Sequence, residues 1–245
     1  MAVPAPYDSV LKRVGRALAA SLALLAVAAA PPAGTDPRNP TCPMAPGWGS
    51  SKPMTLATKK VDGQTVLIAD GAIDNALLPR LTQALAKQPD IAELWIRSPG
   101  GLAEVGNAAG LLIRKRYPGL VTRIPAGWAC FSACNFVFMG GNIRIVDKGG
   151  LFMVHMFTHV GDRAAVKDEI RQDADGAVDM IADIEQSSAM LASQDNDFLI
   201  RMGVSRKLLT DVMYQQKAVA SGGDQSTRRC LTQQELRDYN VVNAQ

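Results

Sequence analysis

From about residue 56 onward, apolar and polar positions alternate first with the two-residue period of a strand and then with the longer period of a helix. TLATKKV and TVLIAD flank Asp62-Gly63, a two-residue hairpin signal. LTQALAKQ (81–88) predicts a helix, with Pro79 tolerable only in its first turn. AELWIR (92–97) is a short apolar strand that breaks at SPGG (98–101). Leu102, Val105, Ala109, Leu112 and Ile113 then fall on one face of a helix, which must stop near Tyr117 because Pro118 follows. LVTRIP is the next strand, and Ser132 to Met139 is apolar on all sides, the pattern of a buried helix. NIRIV and LFMV are further strands, separated by DKGG. A long helical stretch is predicted from about 164 to 193, with two shorter helices near 205–213 and 232–239 and a polar loop, VASGGDQST, between them. No internal repeat is visible. Strand and helix alternating through 56–245 imply an α/β domain with a largely parallel sheet.

The first thirty residues follow another pattern. Lys12, Arg13 and Arg16 precede ALAASLALLAVAAA, fourteen residues without a charge, and small residues stand at Ala28 and Ala30. This is the layout of a secretory signal peptide over 1–30, and its apolar run falls short of the ~20 residues of a comfortable membrane span. An uncleaved N-terminal membrane anchor is the alternative, and only then would the protein meet a membrane. Either reading exports the domain, to the periplasm or the medium. Residues 31–55, rich in Pro, Gly and Ser, are expected to be a linker or extended arm.

The chain has a formal net charge of +3, of which Asp8, Lys12, Arg13 and Arg16 supply +2, so the domain itself is close to neutral. That argues against nucleic acid as a partner, which would need a concentrated basic surface. Export makes the even count of four cysteines read as disulfides. Cys42 and Cys230 flank the domain and are the preferred pair. Cys130 and Cys134, four apart on an expected helix, would have diverging Cβ vectors, so they are expected to be strained as a bridge or else to be small buried hydrophobes. No metal site and no cofactor are expected: there is no CxxC, and the histidines are His155 and His159.

In parallel sheets, functional groups gather at strand C-termini and at the helix N-termini that follow. Three breaks satisfy that rule: SPGG, GWACFSAC and VHMFTH. Acyl transfer by a serine needs a hydroxyl, a base within hydrogen-bond reach and donors for the developing oxyanion. Ser132 stands where a loop enters a helix, and the Ala133 N–H is among the free donors of its first turn. The glycines of SPGG can present a second N–H without a side chain in the way. His155, at a strand end, can take the serine proton near neutral pH. Each feature taken alone has a plain structural explanation: a serine bonded to a helix carbonyl, a turn, a histidine at a strand end.

SPGG, CFSACNFVFMGG and FMVHMF, in that order and followed by LTQQELRDYNVV, resemble four blocks of the Clp protease proteolytic subunit (ClpP) and its ClpP/crotonase-fold relatives, over roughly residues 60 to 243. The CxSAC form is more similar to exported ClpP-like proteins than to the cytoplasmic protease. The resemblance implies a fold of repeated β-β-α units with a largely parallel sheet. It implies Ser132 as nucleophile, His155 as general base, the N–H groups of Gly101 and Ala133 as oxyanion hole, and Asp211 as third member, although the ungapped match of that last segment misses by one residue. It further implies a peptide or unfolded-protein substrate and a homo-oligomer built through the long helix after the histidine. Ala133 and Cys134 stand where the family usually has Met-Gly or Gly-Gly, so the groove is expected to be narrower. The expected function is an exported serine peptidase. The alternatives are an inactive ClpP-like scaffold that binds a peptide or partner, a Ser–Lys dyad using Lys148 or Lys167, His159 as a substitute base, and, least expected, acyl-CoA chemistry.

Overall fold

The computed structural model describes residues 34–36, 39–156, 163–173, 176–216 and 228–244. The expected hairpin is β3 (Thr55–Val61) and β4 (Gln64–Asp70), antiparallel and closed at Val61–Gln64. Asp62 and Gly63 both take positive φ, +49° and +81°, as a two-residue turn matched to strand twist requires. β1 (Thr35–Asp36) and β2 (Asn39–Pro43) form a small ribbon ahead of it, inside the segment expected as a linker.

Beyond β4 the chain repeats one manoeuvre. A strand joins a five-stranded sheet, a short extended segment joins a second layer, and a helix returns. β4 leads through Ala72–Ile73 to α1 (Leu77–Lys87); β5 (Ile91–Arg97) leads through Ser98–Gly101 to α2 (Ala103–Arg116). β6 (Val121–Ile124) and β7 (Ala129–Phe131) lead to α3 (Cys134–Met139); β8 (Ile143–Val146) and β9 (Leu151–His155) lead to α4 (Arg163–Gln172). The large sheet has the order β3-β4-β5-β6-β8, parallel at every pair except β3–β4. This is the α/β class, with the largely parallel sheet and β-β-α units, that the sequence implied. The second layer is the sheet β10-β9-β7, where β10 is Arg228–Cys230, extended by bridges Ser98–Cys130 and Ile73–Gly101. It brings the ends of three units side by side.

Three expectations change. The long helix is two, α4 and α5 (Gly176–Met202). Ser132 precedes the buried helix rather than opening it, and α3 has all six residues buried. The inward face of α2 is Gly106, Ala109, Gly110 and Ile113, while Leu102 is 44 % exposed. Glycine wins over leucine there because α3 and α5 come so close: a Cβ on Gly110 would lie 2.8 Å from Cζ of Phe198 and 3.1 Å from the Phe136 carbonyl carbon. Apolar periodicity cannot register a contact made by absent side chains.

The chain closes with a π-helical turn, Leu208–Met213, and α6 (Gln233–Asp238), which carries a Thr232–Glu235 capping box. Arg144, 1 % exposed, ties this end to the sheet by donating to the carbonyls of Val241 and Asn240, each at 2.8 Å, and of Gly141 at 2.9 Å. Burial without a carboxylate lowers its pKa to about 10. Cys42 and Cys230 are bridged, with Cα atoms 5.2 Å apart, joining β2 to β10.

Candidate active site

Ser132 is one of three described non-glycine residues with positive φ, at +58°. The strain has visible causes on either side. Before it, β7 is held in the second layer, where Phe131 N–H donates to the Ser98 carbonyl at 3.0 Å. After it, α3 starts at once, and Asn135 N–H donates back to the Ser132 carbonyl at 2.9 Å. The turn between strand and helix is so sharp that Cys130 and Cys134 are bridged across it, Cα to Cα 5.4 Å, inside the usual disulfide range of about 4.4–6.8 Å. The Cβ vectors can meet because Cys130 is on a strand and Cys134 on the helix rather than both on one helix.

The SPGG loop lies directly on this turn. Ser98 Oγ accepts the Gly100 N–H at 3.0 Å, and a Cβ on Gly100 would sit 2.7 Å from Cβ of Ser132. Gly100 and Gly101 have φ of +93° and +142°, so the loop needs both glycines for conformation as well as for room. Ile73 pairs with the loop through the Gly100 carbonyl and the Leu102 N–H, which leaves the Gly101 N–H out of the ladder. Among the described residues, neither that group nor the Ala133 N–H donates to another backbone carbonyl.

β9 supplies the third part. Its Met153 carbonyl accepts the Asn135 side-chain amide at 2.8 Å and, at 3.4 Å, the Ser132 N–H. Two residues on, His155 Nε2 lies 2.7 Å from Ser132 Oγ. The other ring nitrogen, Nδ1, lies 2.7 Å from the Met156 carbonyl oxygen. A carbonyl only accepts, so Nδ1 carries the proton and Nε2 is left as acceptor for the serine O–H. Burial lowers the His155 pKa, opposed by the Met156 carbonyl, so the ring is neutral at pH 7. Phe131 packs on the ring with centroids 4.8 Å apart. This arrangement can abstract the serine proton, and the Ala133 N–H, next in the chain, is without a backbone acceptor.

Ser132 and His155 thus meet, with Ala133 next in the chain and the SPGG loop packed against Ser132 through Gly100. Asp211 does not join them: it is exposed on the π-helical turn and accepts from Thr210 Oγ1 at 2.9 Å. The carbonyl of Met156 holds the place on Nδ1 that the third residue was expected to fill. Lys148 and Lys167 are exposed, and the hydrogen bond of Ser132 goes to His155. His159, the 1–30 segment and the 219–227 loop lie outside the described residues.

It is similar to ClpP. Solved structures of ClpP1 from Listeria monocytogenes match at 14 % identity with a TM-score of 0.48, and a point mutant of it at 16 % and 0.45, each covering 73 % of this chain and 89 % of theirs. A mutant of the 1510-N membrane-bound stomatin-specific protease matches at 11 % and 0.44, covering 73 % of this chain and 76 % of its own. No protein-family model and no curated protein sequence matches the chain. The chemistry of the site rests on its own distances.

Two site residues were not anticipated. A cavity of about 60 Å³, partly open to solvent, runs from Ser132 and His155 between α3 and α5, and Asn135 and Asp195 line it. Asn135 falls three residues after Ser132, a helical step onto the same side. Asp195 interrupts the apolar stripe Leu191, Phe198, Leu199, Met202 of α5, and that interruption was the available signal. No helix among the described residues is long and apolar enough to cross a membrane.

Proposed function

We propose that this protein is an exported ClpP-like serine peptidase that cleaves peptides or unfolded protein through an acyl-enzyme on Ser132. The 2.7 Å contact between Ser132 Oγ and His155 Nε2, with the tautomer set by Met156, carries the reading. Ser132 Oγ attacks the scissile carbonyl carbon as its proton passes to Nε2. The resulting oxyanion accepts from the Gly101 and Ala133 N–H groups. Collapse breaks the C–N bond, and the proton on Nε2 leaves with the amine. Water, deprotonated by the same imidazole, then hydrolyses the ester and restores the serine. Two buried disulfides suit an oxidising compartment, consistent with removal of 1–30 as a leader. Val178, Ile181, Met190 and Ile200, each more than half exposed on α5, suit burial in a homo-oligomer.

A fluorophosphonate probe is expected to label the purified protein, and Ser132→Ala and His155→Ala are expected to abolish labelling while remaining folded by circular dichroism. One observation favours the scaffold reading instead: among the described residues, no carboxylate contacts Nδ1 of His155. Wild type as silent as Ser132→Ala, with peptide binding retained, would establish that scaffold.

A further inference from the structure

We propose that the cavity beside Ser132 is a specificity pocket for a cationic side chain, lysine or arginine, with Asp195 and Asn135 as its recognition groups. The inference rests on the serine-peptidase reading of the same site. The walls are apolar, with Phe136, Met139, Phe152 and Leu199 among them, and the polar side chains of the lining are Ser132, His155, Asn135 and Asp195. Ser132 and His155 satisfy each other. Asn135, 4 % exposed, spends its amide on Met153, and its Oδ1 is buried with no partner.

Asp195 has no hydrogen bond or ion pair among the described residues, and burial raises its pKa to about 7. Burial, and after it the Asp195 charge, raises the pKa of Tyr214, yet the buried Tyr214 hydroxyl makes no hydrogen bond to Asp195. Two side chains of the lining therefore carry unpaired acceptors, the Asp195 carboxylate and Asn135 Oδ1. A lone acceptor in apolar surroundings is unfavourable until a ligand supplies the donor. An alkyl stem ending in an ammonium or guanidinium answers both features, since it covers the apolar wall and brings N–H donors with a positive charge to its far end. A plain aliphatic side chain would fill the same space and leave both acceptors unpaired, which is how such a site discriminates. Asp195 is not needed to orient His155, because the Met156 carbonyl already holds the Nδ1 proton.

The test uses the whole protein and matched fluorogenic peptides that differ before the scissile bond: lysine, arginine, or norleucine as the uncharged isostere. The pocket predicts kcat/KM for lysine or arginine at least about tenfold above norleucine, a preference lost in Asp195→Asn and kept in Asp195→Glu. A preference for norleucine, or a lysine preference unchanged in Asp195→Asn, overturns the pocket while fluorophosphonate labelling still upholds the hydrolase. An equal loss for all three peptides in Asp195→Asn makes Asp195 a positioning residue and also overturns it. If the wild type takes no label, binding of the same peptides to Ser132→Ala, read by fluorescence anisotropy, decides: preference for lysine upholds the pocket without the enzyme, and no preference overturns both.

Discussion

Ser132 and His155 make a pair whose proton is already placed. The Met156 carbonyl does for Nδ1 what a carboxylate does in a serine–histidine–aspartate triad, fixing tautomer and ring orientation, but it brings no full negative charge to steady the imidazolium. The pH dependence follows. Burial depresses the His155 pKa, so the neutral, base-competent ring persists to lower pH than an ordinary histidine allows. Activity is present above the depressed value and lost as pH falls through it. The acid limb of kcat/KM is expected to have its midpoint below 6.5, the ordinary histidine value, and to disappear with all activity in His155→Ala. A midpoint at or above 6.5 would show that an acidic group stabilises the imidazolium after all.

Elements explain why one expected partner is missing. The π-helical turn packs Leu208, Leu209 and Val212 inward, and between them Asp211 faces solvent. A π turn carries more residues than an α turn, so side chains expected on one face rotate onto another. Neutralising a triad aspartate lowers kcat by about 10⁴-fold; Asp211→Asn is expected to change kcat/KM here by less than about threefold, because nothing of Asp211 reaches the ring. The β-hairpin, α1, β5, β6, β8, β9 and α6 follow from their periods and turn residues. β7 and β10, three residues each, are too short to show a period, and α2 hides its inward face behind glycines. Those unpredicted pieces matter most to the site, since β7 delivers Ser132 and β10 flanks His155, pairing with it at Arg228.

At the scale of the molecule, the Cys42–Cys230 bridge joins segments 188 residues apart, and both cysteines are fully buried with Ala129 and Met153 beneath the strands that carry Ser132 and His155. Closing so long a loop restricts the unfolded chain strongly. The double variant Cys42→Ala, Cys230→Ala is expected to lose about 2–5 kcal/mol of stability, measured by urea denaturation under oxidising conditions. An unchanged midpoint would show that the flanks contribute nothing to the fold.

The α/β class, the hairpin, most strands and helices, and the candidate serine and histidine are legible in the linear chain, because periodicity, turn chemistry and residue type are local properties. How three distant breaks would meet was left open. It took the folded chain to show that the second layer sets Ser98–Gly101, β7 and β9 side by side, that a backbone carbonyl rather than Asp211 holds the imidazole, and that Asp195 lines the cavity beside Ser132. Those outcomes depend on distances between residues far apart in the chain, which packing sets and no local pattern encodes.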